Sequence, residues 1–194
     1  MAGRASRSRD VSGNLVDPFA LINERGIRDY AALYSTDQPT TEILVRNAAT
    51  IVEAQCAGEM KDGKWRGLSG SQREFVALMD PGRTISDEDV VAAVAQQFSL
   101  VLRLKPTAEQ TSRYLKLFEN CTKDGDRREA LKTVLQAVLL QTAANYRSES
   151  GDGEADASGR RRLSPRELAE ALSLALNDGW VREFFGAADK GKLE

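Results

Sequence analysis

Four oxygen-bearing side chains, Asp152, Glu154, Asp156 and Ser158, stand at every second position of one polar stretch. That spacing is how a chain offers ligands to a hard cation such as calcium. The EF-hand pattern, however, asks for glycine at its sixth position and a bidentate glutamate at its twelfth. Ala157 and Leu163 stand there, so the stretch reads as a solvated linker and no metal site is assigned. Gly63, Gly67 and Gly70 invite comparison with phosphate-cradling loops, but they fit neither G-x-G-x-x-G nor G-x-x-x-x-G-K-[ST]. Gly67-Leu68-Ser69-Gly70-Ser71 misses the nucleophile elbow too, because Ser71 replaces its last glycine. A loop that needs permissive backbone angles is the simpler account.

Histidine is absent from all 194 residues. Within these residues this excludes Ser-His-Asp and Cys-His nucleophiles, His-ligated zinc and His-ligated haem. Cys56 and Cys121 are the two cysteines, and neither begins a C-x-x-C-H haem attachment. Each falls near an apolar helical stripe, Cys56 four residues after Val52 and Cys121 three after Phe118. They read as buried core thiols, with a Cys56–Cys121 disulfide as the alternative. Most carboxylates sit at helix starts, where capping and the helix dipole account for them. No catalytic, cofactor-binding or metal residue is therefore assigned, and no cofactor is expected.

Lys plus Arg number 27 against 29 Asp plus Glu, a net charge of −2. That balance gives no electrostatic reason to expect nucleic acid, and the run Arg160-Arg161-Arg162 reads as surface charge. No apolar run approaches the roughly 18–20 residues of a membrane span. The opening MAGRASRSRD is basic but lacks an apolar stretch after it, so it is not a complete signal peptide. The chain is then either intracellular or cut from a longer precursor.

The elements that would position any site are helical. Capping signatures announce them: Asp17-Pro18, Ser71 to Glu74, Ser86 to Asp89, Thr107 to Gln110, Asp126 to Glu129, and Ser164-Pro165 to Glu167. Apolar stripes follow at helical spacing. They are Leu44, Ala48, Ile51 and Val52; Phe75, Val76 and Met79; Val91, Val94, Phe98, Val101 and Leu102; Tyr114, Leu115, Phe118 and Cys121; and Leu168, Leu172, Ala175 and Leu176. The clearest stripe runs from Leu131 through Val134, Leu135, Val138, Leu139, Thr142 and Ala143 to Tyr146, predicting one central helix from Arg127 to Tyr146. The segment EMKDGKWRGLSG reads as a glycine-bearing connection holding Trp65. No sustained period-two alternation is present.

The expected fold is all-α, an irregular bundle of about six or seven amphipathic helices. Residues 1–14 are expected to be disordered and 15–186 to form a single helical domain. Residues 148–162 are expected as an exposed mobile loop and 187–194 as a tail. Trp180, Val181, Phe184 and Phe185 form an apolar cluster, read as a last helical turn docked on the core. If that cluster is instead exposed, it offers self-association through Trp180, Phe184 and Phe185.

The order PTAEQTSRYLKLFE, REALKTVLQAVLLQTAANYR and RRLSPRELAEALSLAL resembles the large planctomycete cytochrome-associated proteins, which carry tandem helical domains of unknown function. The earlier DYAALYSTDQPTTEILVRNAATIVEAQ is similar to the segment preceding those helices, so the resemblance covers residues 29–176. It implies a helical segment of an exported or periplasmic protein whose c-type haem lies on another domain. Departures are the missing C-x-x-C-H, Ser173-Leu174-Ala175-Leu176-Asn177 where members carry an aromatic stretch, and an end at Glu194 where members continue. They imply a partial family member. The expected function is a non-catalytic scaffold or interaction segment, its partner another protein or further domains of the same chain. The alternatives are an enzyme domain completed by other segments, and an electron-transfer accessory with haem elsewhere.

Overall fold

Short-range capping decides where several of the helices begin. The computed structural model describes residues 12–18, 38–123, 125–146, 149–177 and 181–193. A short 3-10 turn, Ser12–Asn14, stands at the end of the stretch expected to be disordered. After it come α1 (Gln38–Cys56), β1 (Gly58–Lys61), β2 (Lys64–Gly67), α2 (Arg73–Leu78), α3 (Asp87–Val101), α4 (Ala108–Thr122), α5 (Arg127–Leu139), α6 (Thr142–Asn145), α7 (Pro165–Asn177) and α8 (Arg182–Ala188). The fold is all-α, with one small hairpin. The helix expected to run from Asp17-Pro18 to about Leu33 lies outside the described residues from position 19 on.

Three expected boxes form. Ser86 and Asp89 cap α3 reciprocally, as do Thr107 and Gln110 for α4. Ser164 and Glu167 do so for α7, with Ser164 N–H donating to Oε2 at 2.8 Å and Glu167 N–H to Ser164 Oγ at 3.3 Å. Asp126 caps α5 by accepting from Arg128 N–H, but Glu129 does not complete the box; it bonds Lys132. The Ser71–Glu74 box is a misreading: α2 starts one residue later, at an N-cap Gln72 with no side-chain bond. Ser71 Oγ instead donates to Leu68 O at 2.6 Å, closing the turn after the hairpin.

The hairpin corrects the glycine-bearing connection. Asp62 and Gly63 both take positive φ, 52° and 70°, the arrangement of a two-residue turn whose twist matches the strands. The Asp-Gly signal was present in the sequence, but two four-residue strands are too short to show alternation. Trp65 folds back on α2, donating from Nε1 to Val76 O at 2.9 Å. Its ring lies so close to Gly58 that a Cβ there would stand 2.7 Å from it.

The described residues divide into two compact units, Met1–Asn145 and Tyr146–Glu194. The boundary falls inside the stretch read as one domain. In the first unit α5 is central and packs against α1, α3 and α4. Leu131, Val134, Leu135 and Val138 of its stripe are all completely buried, alongside Val52, Phe75, Val90, Phe98 and Phe118. Arg127 pairs with Asp87 near the start of α3 and Gln97 bonds Leu135 O farther along, so α3 and α5 run parallel. Arg127 also lies over Phe118, and Gln141 bonds the Tyr114 hydroxyl, so α4 runs antiparallel.

The helix expected to reach Tyr146 is broken. α5 stops at Leu139 and a single turn, α6, follows; Asn145 Nδ2 donates to Leu139 O and Gln141 O, satisfying the freed carbonyls. Two stripes are rotated by about one residue. On α3, Val90, Ala93 and Gln97 are buried while Val91 and Val101 are half-buried. On α7, Ala169 and Ser173 are buried, whereas Ala175 and Leu176 are exposed, Leu176 at 69%. On α4, Phe118 alone of its stripe is fully buried.

In the second unit α8 packs on α7. Phe185 is buried with the Arg166 guanidinium over its ring, and Phe184 is half-buried; Trp180 lies outside the described residues. Ser173 Oγ accepts from Val181 N–H at 3.2 Å, tying the start of α8 to α7.

Candidate functional site

The richest gathering of ionisable groups lies where the end of α1, the hairpin and the first turns of α5 meet. The cleft encloses about 250 Å³ and is lined by Glu53, Cys56, Gly58, Trp65, Asp126, Arg128, Glu129 and Lys132, among others. Lys132 Nζ reaches Glu53 Oε1 at 2.9 Å and Oε2 at 3.2 Å, and Glu129 Oε1 at 3.0 Å. Burial alone would lower the Lys132 pKa, but the hydrogen bonds and charges of Glu53 and Glu129 outweigh it and raise the value. The ammonium is therefore held charged and cannot serve as a base.

Arg128 closes the neighbouring wall. Its Nη2 donates to Asp80 O at 2.7 Å and Arg83 O at 2.8 Å, pinning the loop between α2 and α3 to α5. Its Nε is buried without a hydrogen-bond partner. Cys56 lines the cleft, 4% exposed, and burial pushes its thiol up to about 12, against the opposing effect of the Lys132 charge. A thiol so held is protonated at neutral pH and is a poor nucleophile. The cleft thus joins α1 to α5 by an ion pair and α5 to the α2–α3 loop by hydrogen bonds to backbone carbonyls.

Cys121 is half-buried on α4; both thiols are free, so the disulfide alternative is corrected to two separate cysteines. A second groove, of about 320 Å³, runs beside Gln110, Arg113, Tyr114, Leu117 and Gln141. The Tyr114 hydroxyl there has its pKa raised by burial, against the bond from Gln141. Deeper in the bundle, Gln97 is completely buried; its Nε2 donates to Gln55 Oε1 at 3.0 Å and Leu135 O at 3.4 Å, while its own Oε1 has no hydrogen-bond partner.

The alternating oxygens of the polar stretch do not converge. Asp156 turns inward on its own loop: Oδ1 accepts from Ser158 N–H and Arg160 N–H, and Oδ2 from Arg160 Nε at 3.2 Å. These backbone bonds hold its carboxyl below the ordinary value. Among the described residues no three His, Cys, Asp or Glu side chains come together as a metal site. The stretch is exposed, and a backbone bond from Asp152 N–H to Arg162 O at 2.7 Å closes it. Glu167 anchors its base, Oε1 accepting from Ser150 and Gly151 N–H. Beside it lies a cleft of about 760 Å³ whose walls include Asp152, Arg162, Ser164, Leu168 and Leu193.

Spacing marked Asp126 and Glu129 as a helix cap and Cys56 as a core thiol, but it marked neither Glu53 nor Lys132. Glu53 and Lys132 are 79 positions apart, and such a pair carries no local signal. Among the described residues no helix is long and apolar enough to cross a membrane. Compared with family models, curated proteins and solved structures, the chain matches none.

Proposed function

We propose that this chain is a non-catalytic helical scaffold or interaction segment of a cytochrome-associated, exported protein. The observation that supports a non-catalytic role is the state of the groups in the charged cleft. Lys132 holds Glu53 and Glu129, Arg128 holds two backbone carbonyls, and burial keeps Cys56 a thiol. Groups that could transfer protons or attack a substrate are engaged in joining α1, α5 and the α2–α3 loop. The cytochrome context is inferred from the resemblance over residues 29–176, with haem on another domain.

Two measurements test this reading. The purified chain is expected to carry no iron and show no visible absorption band. The genomic reading frame around it is expected to continue into further helices and a C-x-x-C-H. Stoichiometric haem on the chain itself, or a frame without any C-x-x-C-H, would overturn it.

A further inference from the structure

We propose that the outer edge of β1 pairs with the same edge of a second copy of this chain, about a two-fold axis through Met60. The proposal rests on the interaction reading above and supplies one partner for it.

Hydrogen-bond parity decides which groups face outward. A two-residue turn makes its flanking residues, Lys61 and Lys64, a hydrogen-bonded pair, so the next pair, Met60 and Trp65, is not bonded. The bond from Leu68 N–H to Ala57 O at 3.0 Å falls where the same parity requires it. Met60 N–H and C=O therefore point away from β2, and neither has a backbone partner among the described residues. Glu59, Met60 and Lys61 are all exposed, Met60 at 57%, which leaves the edge open to a second strand. β1 carries no proline to block it.

Charge selects the occupant. Antiparallel pairing centred on Met60 sets Glu59 opposite Lys61 of the second copy and Lys61 opposite its Glu59. A centre on Glu59 or Lys61 would set like charges directly opposite each other across the axis. Within the hairpin Lys61 lies opposite Lys64, a like-charge pair that costs stability, and a second Glu59 would offset it. On the other face Met60 would meet Met60, and isologous contacts of this kind close as a dimer. The same register carries the second copy's Asp62-Gly63 turn alongside Gly58, which lines the charged cleft. A four-residue edge is short, so the dimer is weak and concentration-dependent.

Sedimentation equilibrium of the full chain, in a series reaching about 1 mM, reads this directly. The wild type is expected to shift from monomer to dimer. Met60→Pro removes an outward N–H together with the Met60 side chain, leaves every backbone bond of the hairpin in place and is expected to abolish the dimer. Glu59→Lys and Lys61→Glu should each weaken it about tenfold, by placing two like-charge pairs across the axis. Mixing those two variants should restore a mixed dimer, which a merely structural role for either residue would not produce.

A wild type that stays monomeric throughout overturns the proposal. So does a dimer that survives Met60→Pro, and one lost instead on Phe184→Ser belongs to the C-terminal aromatics. A monomeric chain leaves the cytochrome context standing, because that is read from iron and the reading frame; haem on a dimeric chain does the reverse.

Discussion

Leu135→Ala measures whether α5 is the centre of the first unit. Leu135 is completely buried in a helix that packs against α1, α3 and α4. The substitution removes three carbon groups, each contributing roughly 0.8 kcal/mol, so about 2.4 kcal/mol of transfer free energy is lost. A cavity term adds to this, because helices on three sides restrict collapse, and the expected total is about 3–4 kcal/mol. The Gln97 bond accepts at the Leu135 backbone carbonyl and survives the change. Urea unfolding followed by Trp65 fluorescence gives the number, with Trp180→Phe in both proteins so that one indole reports the first unit. The midpoint should fall with the slope unchanged. Leu140→Ala, just past the end of the same helix and 39% exposed, serves as the control and should cost under about 1 kcal/mol. A loss below about 1 kcal/mol for Leu135→Ala would mean the stripe does not carry the core, and the packing described above would be wrong.

Alkylation of the native chain at mildly alkaline pH should modify half-buried Cys121 and spare Cys56, whose thiol is held near 12; equal rates would contradict that burial. The Lys132 pKa is raised in the folded chain, so its contribution is fully present below the ordinary lysine value of 10.5 and is lost as pH rises through the raised one. Wild type minus Lys132→Met stability should therefore stay level through neutral pH and shrink only above that value; a gap that shrinks near neutrality refutes the sign. The Glu167 carboxyl is held low by the Ser164 N–H and hydroxyl and by the Gly151 and Ser150 N–H groups, so its contribution is present above the ordinary value of 4.5 and lost as pH falls through the lowered one. In Glu167→Ala, hydrogen exchange at Ser150 and Gly151 should speed up to the rate of an open loop, and unchanged exchange would mean other bonds close that loop.

The sequence by itself determined the all-α class and the starts of α3, α4, α5 and α7. Each start is written within four residues, because a cap is a side chain bonding a backbone group two or three positions on. The α5 stripe was legible for a similar reason: strict helical spacing leaves only one face to bury. Tertiary structure decided the rest. Adjacent Val90 and Val91 suit two faces of α3, and packing against α5 and α4 chose Val90. Ser71 had the composition of a cap but was drawn into the turn after the hairpin, where it bonds Leu68 O. Asn145 bonds the Leu139 carbonyl where α5 stops, a contact that periodicity does not register. The charged cleft exists only because folding brings Glu53 to Lys132 across 79 positions, a pairing set by helix packing that no local spacing encodes.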